Sequence, residues 1–171
     1  IVEADYEKSV YYYEKIPAPQ EYINYPRAAY LLAKLKREAK EWKEAFRLCT
    51  IAASGNIGGA QNDLGVMYML GLGTEKNEEE GEKWYRISAA NNDAKAALNL
   101  GKLYYERGRL EEAKKYLEQA KAGQMREADE ILLEVESLLE KRQRLNDYKE
   151  RFQSRFARRD YDEAITILEK I

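Results

Sequence analysis

The side chains from which a catalyst could be built are Cys49, the glutamates at 78, 79, 80 and 82, and a basic stretch at 141–159 interleaved with Tyr148, Phe152 and Phe156. A thiol nucleophile needs a base, and this chain of 171 residues has one Cys and no His. Imidazole is the usual general base near neutral pH, so its absence removes Ser-His and Cys-His catalysis and histidine-containing zinc sites. Cys49 has no second cysteine to pair with, nothing near it in sequence favours a thiolate, and it reads as a buried small apolar residue. Consecutive glutamates on a helix point in different directions and cannot converge on one cation; they suit a solvated helix start. Gly71 and Gly73 do not form a dinucleotide or Walker loop, because Lys occupies position 76 and no strand precedes them. They read as turn residues, and no catalytic residue, cofactor or metal is expected.

The elements that carry these residues follow from composition. Lys and Arg number 29 against 31 Asp and Glu, a formal net charge of −2, so there is no global case for nucleic acid or an anionic membrane. Apolar residues are 44% and charged residues 35%, too apolar for disorder and more charged than an ordinary globular domain, as in thin helical architectures with much surface. The three prolines, at 17, 19 and 26, leave extended helix permitted from Arg27 onward. The longest apolar stretch, 48–53 with Thr50 inside it, is far short of the roughly 20 residues that span a bilayer. Neither a leader nor an initiator Met opens the chain, so it reads as a processed protein or a piece of a longer one; cytoplasm and periplasm are left equally open.

Two motifs recur. Ala60, Leu64, Gly65 and Tyr68 return as Ala96, Leu100, Gly101 and Tyr104, each displaced by 36 residues, with a weaker copy at Ala28, Leu32 and Ala33. A second motif has a large apolar residue three before Ala, at 41–45, 109–113 and 160–164, with a degraded copy at 5–9. The motifs alternate, which predicts helical hairpins of a first helix (A) and a second (B). Gly65 and Gly101, and the alanines of the B helices, stand where the paired helices must approach closely. The A-to-B interval is 17 residues in two hairpins and 21 in the hairpin that contains Gly71-Leu72-Gly73-Thr74, so four residues are inserted there.

The segment 60–90, AQNDLGVMYMLGLGTEKNEEEGEKWYRISAA, resembles the Sel-one-like repeat, a relative of the tetratricopeptide repeat with a longer loop between its helices. The other hairpins are more similar to plain tetratricopeptide repeats. Gly81, Asn92 and Lys36 depart from the pattern. The resemblance implies an all-α, right-handed solenoid, divided as an unpaired B-type helix (3–16), repeats at 26–55, 58–92 and 94–123, and a C-terminal section (125–171). In that section a seven-residue series Ile131, Leu138, Leu145 and Phe152 predicts one long helix. Charge argues for two antiparallel helices instead, since 127–140 has six acids and no base whereas 141–159 has eight bases and two acids.

Function then reads as binding without chemistry. Tyr30 and Tyr105 fall near the exposed side of their A helices. The resemblance implies that A helices line a concave wall, which adds Arg27, Lys34, Arg37, Asn62, Val66, Met69, Lys95, Asn99 and Lys102. Five of these are cations, so a peptide or helix of another protein, acidic in character, is the expected partner. The tetratricopeptide carboxylate clamp is not reproduced, because Tyr30 stands where its first Lys is expected and Lys34 where its first Asn is expected. No small-molecule substrate and no membrane insertion are expected. The alternatives are nucleic-acid binding through 141–159, which the aromatic helical spacing disfavours, and formation of a homo-oligomer through the long C-terminal helix.

Overall fold

The structure, a computed structural model, describes residues 25–158 and 161–169; the helix expected over 3–16 lies outside them. Among the described residues the chain forms eight helices and no strand. They are α1 (Pro26–Glu38), α2 (Trp42–Ser54), α3 (Gly58–Leu70), α4 (Glu78–Ala90), α5 (Ala94–Glu106), α6 (Leu110–Ala122), α7 (Glu127–Ala157) and α8 (Tyr161–Leu168). Each helix packs on its sequence neighbours, and α5 also touches α7, which is the nearest-neighbour pattern of a solenoid. The fold is the all-α solenoid of stacked hairpins.

The first six helices have 13 residues each, a length set by what stands at their ends. Five of the turns end in the same way. In the α1–α2 turn the Lys40 amide donates to Arg37 O and the Glu41 amide to Lys36 O, and the pattern repeats at 56–57, 92–93, 108–109 and 124–125. This doubled bond satisfies carbonyls that the helix end leaves orphaned, and it needs a left-handed residue. Gly108 supplies it without strain, whereas Lys40, Asn56, Asn92 and Gln124 hold φ between 59° and 64°. Asn tolerates that region; Lys and Gln do not. Lys40→Gly is therefore expected to raise stability by about 0.5–1 kcal/mol, measured by urea unfolding, and an unchanged midpoint would contradict this reading of the turn.

The turn between α3 and α4 is different, and here the four inserted residues appear. Gly71 closes α3 in the left-handed region, Gly73 (φ 75°) passes against the backbone of Trp42, and Leu72 packs on the first core. Asn77 then caps α4, its side chain accepting from the Glu80 amide at 3.1 Å, with Glu78, Glu79 and Glu80 in the first turn.

The core runs as two linked clusters. One joins α1, α2 and α3 through Ala29, Leu32, Ala33, Leu48, Cys49, Leu64 and Met67; the other joins α4 to α7 through Tyr85, Leu100, Tyr104, Leu117, Leu132 and Val135. The α3–α4 hairpin serves both, since Tyr68 and Trp84 pack on the first and Val66 and Met69 on the second. Polar links add to the packing: within the α3–α4 hairpin Ser88 Oγ donates to Gly58 O at 2.9 Å, and between hairpins Gln119 Nε2 donates to Ala89 O at 2.6 Å. Tyr104 Oη donates to Glu82 at 2.7 Å and accepts from Arg86 at 2.9 Å, tying α5 to α4. Burial works against the Glu82 carboxylate, yet the bonds from Tyr104 and Arg107 outweigh it and hold its pKa below the usual value.

Residues 127–157 form a single helix of 31 residues, so the acidic and basic stretches lie end to end and do not neutralise each other side by side. The physical reason is the absence of any helix breaker in that span.

Candidate functional site

The A helices α1, α3 and α5 bring four of the eleven expected groove residues, Tyr30, Lys34, Arg37 and Lys95, to one depression of about 440 Å³, lined also by Glu38, Asp63 and Trp42 of α2. Its floor is built around Asp63. The Arg37 guanidinium pairs with Asp63 Oδ2, the Tyr30 hydroxyl donates to the same carboxylate, and Asn62 Nδ2 approaches Oδ1 at 3.5 Å. Asn62 in turn accepts from Asn99 Nδ2 of α5 at 3.0 Å, so one polar chain links three consecutive A helices. Tyr30 can lie across α3 because Gly59 has no side chain there; a Cβ at that position would stand 2.6 Å from the Tyr30 oxygen.

Burial dominates the electrostatics. It raises the Asp63 carboxyl above the ordinary aspartate value, against the opposing pull of Arg37 and of the hydrogen bond from Tyr30. Burial and the neighbouring Asp63 charge likewise raise the Tyr30 hydroxyl. Cys49, fully buried, has its thiol pushed up to about 12, first by burial and then by Asp63, so it is an inert packing residue.

A carboxyl with a raised folded pKa binds its proton more tightly in the native state. That contribution to stability is complete below the unfolded value, near pH 4, and is lost as pH rises through the folded value. Replacing Asp63 by Asn removes the titration. The stability of Asp63→Asn relative to the native chain is therefore expected to climb with pH across that window and then level off, read by unfolding at a series of pH values. A difference that stays flat would show that Asp63 is not desolvated.

The remaining expected residues are placed as follows. Lys34 is exposed, its Nζ 4.8 Å from the centre of the Tyr30 ring, and Lys95 is exposed on the far side of the depression. Among the described residues neither has a carboxylate within ion-pair distance. Arg27 is exposed one turn before Tyr30 and lines a separate depression with Tyr25 and residues 55–57. Val66 and Met69 are half-buried against the second core cluster, with Met69 lying over Gly81. Lys102 pairs with Glu127 at 2.5 Å, and Tyr105 is hydrogen-bonded to Glu134, so these two are engaged by α7.

The expectation of a groove made positive by five cations needs correction. Arg37 is neutralised by Asp63 and Lys102 by Glu127, which leaves Arg27, Lys34 and Lys95 to carry the charge. Asp63 is the residue that sequence reasoning missed. Its register, one after Asn62 and three before Val66, was the available signal, since it puts the carboxylate on the same side of α3.

Among the described residues no group of acidic, Cys or His side chains could hold a metal ion, and no helix is long and apolar enough to cross a membrane. The Sel1 repeat family model matches residues 1–16 and 59–93, and a tetratricopeptide repeat model matches 95–122. A sel1-like repeat-containing protein of Acanthamoeba polyphaga mimivirus is 36% identical over 61 residues, which are 36% of this chain and 11% of that protein. The chitin synthase regulator SKT5 of Saccharomyces cerevisiae is 37% identical over 73 residues, 43% of this chain and 10% of that protein. The chain thus spans about a tenth of the length of either relative. The crystal structure of a Sel1 repeat protein from Oxalobacter formigenes superposes with a TM-score of 0.59 at 29% identity, covering 66% of this chain and 49% of that one. Repeats of these two kinds are generally protein-interaction modules and typically non-catalytic.

Proposed function

We propose that this chain, a Sel1-like and tetratricopeptide-like repeat protein, is a scaffold that holds an acidic segment of a partner protein against α1, α3 and α5, reading a carboxylate with Lys34 and Lys95. One observation carries the reading. Two exposed cations, neither within ion-pair distance of a carboxylate among the described residues, line one depression whose floor is fixed by the Tyr30–Asp63–Arg37 cluster. Preorganisation is the mechanism: the polar chain from Arg37 to Asn99 already holds the wall, so binding orders little beyond the two lysines. Asp63 adds selectivity, because a cationic side chain already occupies its carboxylate and an incoming base would compete with Arg37.

The test is a fluorescence-anisotropy titration of a labelled Asp/Glu-rich peptide, with a Lys/Arg-rich peptide of equal length as control. The acidic peptide is expected to bind and to weaken with salt. The double variant Lys34→Glu, Lys95→Glu should lose at least tenfold, about 1.4 kcal/mol. Equal binding by the native chain and the double variant would remove this groove from the function.

A further inference from the structure

We propose that α7 is also a self-association element: a second copy of this chain lies antiparallel along the face of α7 turned away from the array. At 31 residues α7 is about 46 Å long, against about 20 Å for each of the preceding helices. Each earlier A helix is followed after a short turn by the B helix that packs on it. The partner of α7, by contrast, begins only at Tyr161 and meets the far end, through Phe156 with Tyr161 and Arg155 with Glu163. Among the described residues nothing covers the outward side of the first half of α7, and Leu133 stands there at 71% exposure.

At 100° per residue Glu130, Leu133, Ser137, Glu140, Arg144, Arg151 and Arg158 share one side of α7, opposite the buried Ala128, Leu132 and Val135. All seven are exposed. The charge on this face runs from acid to base. An antiparallel copy with its two-fold axis near residue 141 brings Glu140 within one helical turn of Arg144 and Glu130 within one turn of Arg151, each pair made twice. A parallel copy sets like against like. The Leu133 side chain would then lie on the apolar stem of the partner's arginine.

The other acids of the first half do not compete for this role, because the array already uses them. Glu127 pairs with Lys102, Asp129 with Lys121 and Glu136 with Lys114, while Glu134 holds Tyr105. In the basic half Arg142 pairs with Glu111, Arg155 with Glu163 and Arg144, at 3.7 Å, with Glu140 of its own helix, while Lys141, Lys149, Arg151 and Arg158 have no ion pair among the described residues. A polyanion such as RNA would also be drawn to that half. It has no use for an exposed leucine or for an acidic run on the same face, and these favour the second copy.

Sedimentation velocity on the whole chain tests the proposal. Twice the mass of one chain is expected at low salt, falling to a single mass near 1 M salt, where screening is about 3 Å. Glu130→Arg and Arg151→Glu should each be monomeric under the low-salt condition. An equimolar mixture of the two should regain the double mass, because both cross-pairs are then opposite in sign. Both positions are exposed, and far-UV circular dichroism separates loss of the dimer from unfolding. A native chain that stays monomeric at low salt at every concentration overturns the proposal. So does a dimer that neither charge reversal weakens, or a monomer that binds single-stranded RNA with steep salt dependence.

Discussion

Gly65→Leu and Gly101→Leu are each expected to lower stability by roughly 3 kcal/mol or more, the upper end for overpacking a core, and to lower Tm by about 6–12 °C in thermal unfolding. At Gly65 a Cβ alone would stand 2.6 Å from a Tyr85 ring carbon and 3.1 Å from the Gly81 carbonyl; at Gly101 it would stand 2.6 Å from Leu117 Cγ and 3.3 Å from its backbone nitrogen. The backbone atoms cannot give way without separating α3 from α4 or α5 from α6. Gly81 reinforces the first crossing from the other side, where a Cβ would meet the Gly65 carbonyl at 3.0 Å. In the first hairpin the equivalent positions are Ala33 and Cys49, both fully buried. Across the three hairpins a larger A-helix residue is thus matched by a smaller B-helix residue. Gly58→Ala is the control, since a Cβ there meets only ordinary contacts from Asp93 at 3.9 Å and gains helix propensity. If both leucine variants unfolded with the native chain, the close-packed hairpin would be wrong.

Val135→Asp carries the second large effect. Val135 is fully buried in the cluster where α7 docks, beside Leu132 and Leu117 and away from any cation among its cluster neighbours. A buried charge without a partner costs about 3–5 kcal/mol. In a solenoid each unit leans only on its neighbours, so the damage should be local: α7 and α8 undock while α1 to α3 keep their own cluster. Hydrogen exchange is the measurement. Amides of 127–157 should lose protection and those of α2 and α3 should keep it. Uniform loss across the chain would mean that the array unfolds as one unit and that its two core clusters are not separable.

The groove was legible only in part, for reasons that particular residues make plain. Helical register placed Lys34, Asn62, Lys95 and Asn99 on A helices, and the repeat spacing stacked those helices. Register cannot state which cation is already paired. Arg37 and Lys102 count as free charges in sequence, yet each finds a carboxylate 25 or 26 residues away on another helix. Tyr105 reads as an exposed aromatic until α7 folds back beside it and offers Glu134. Asp63 reads as one more surface acid, and it becomes the centre of the site because Gly59 lets Tyr30 cross over it.

By itself the sequence determined what periodicity and residue size can encode: hairpins at a fixed spacing, glycines at the crossings, a four-residue insertion before α4, and a breaker-free C-terminal segment. These are local properties, set by steric limits that hold wherever the segment is placed. Tertiary structure alone decided the partners of the charges and the depth of each side chain. Coulomb and desolvation energies depend on distances between residues far apart in the chain, and those distances exist only once the helices have stacked.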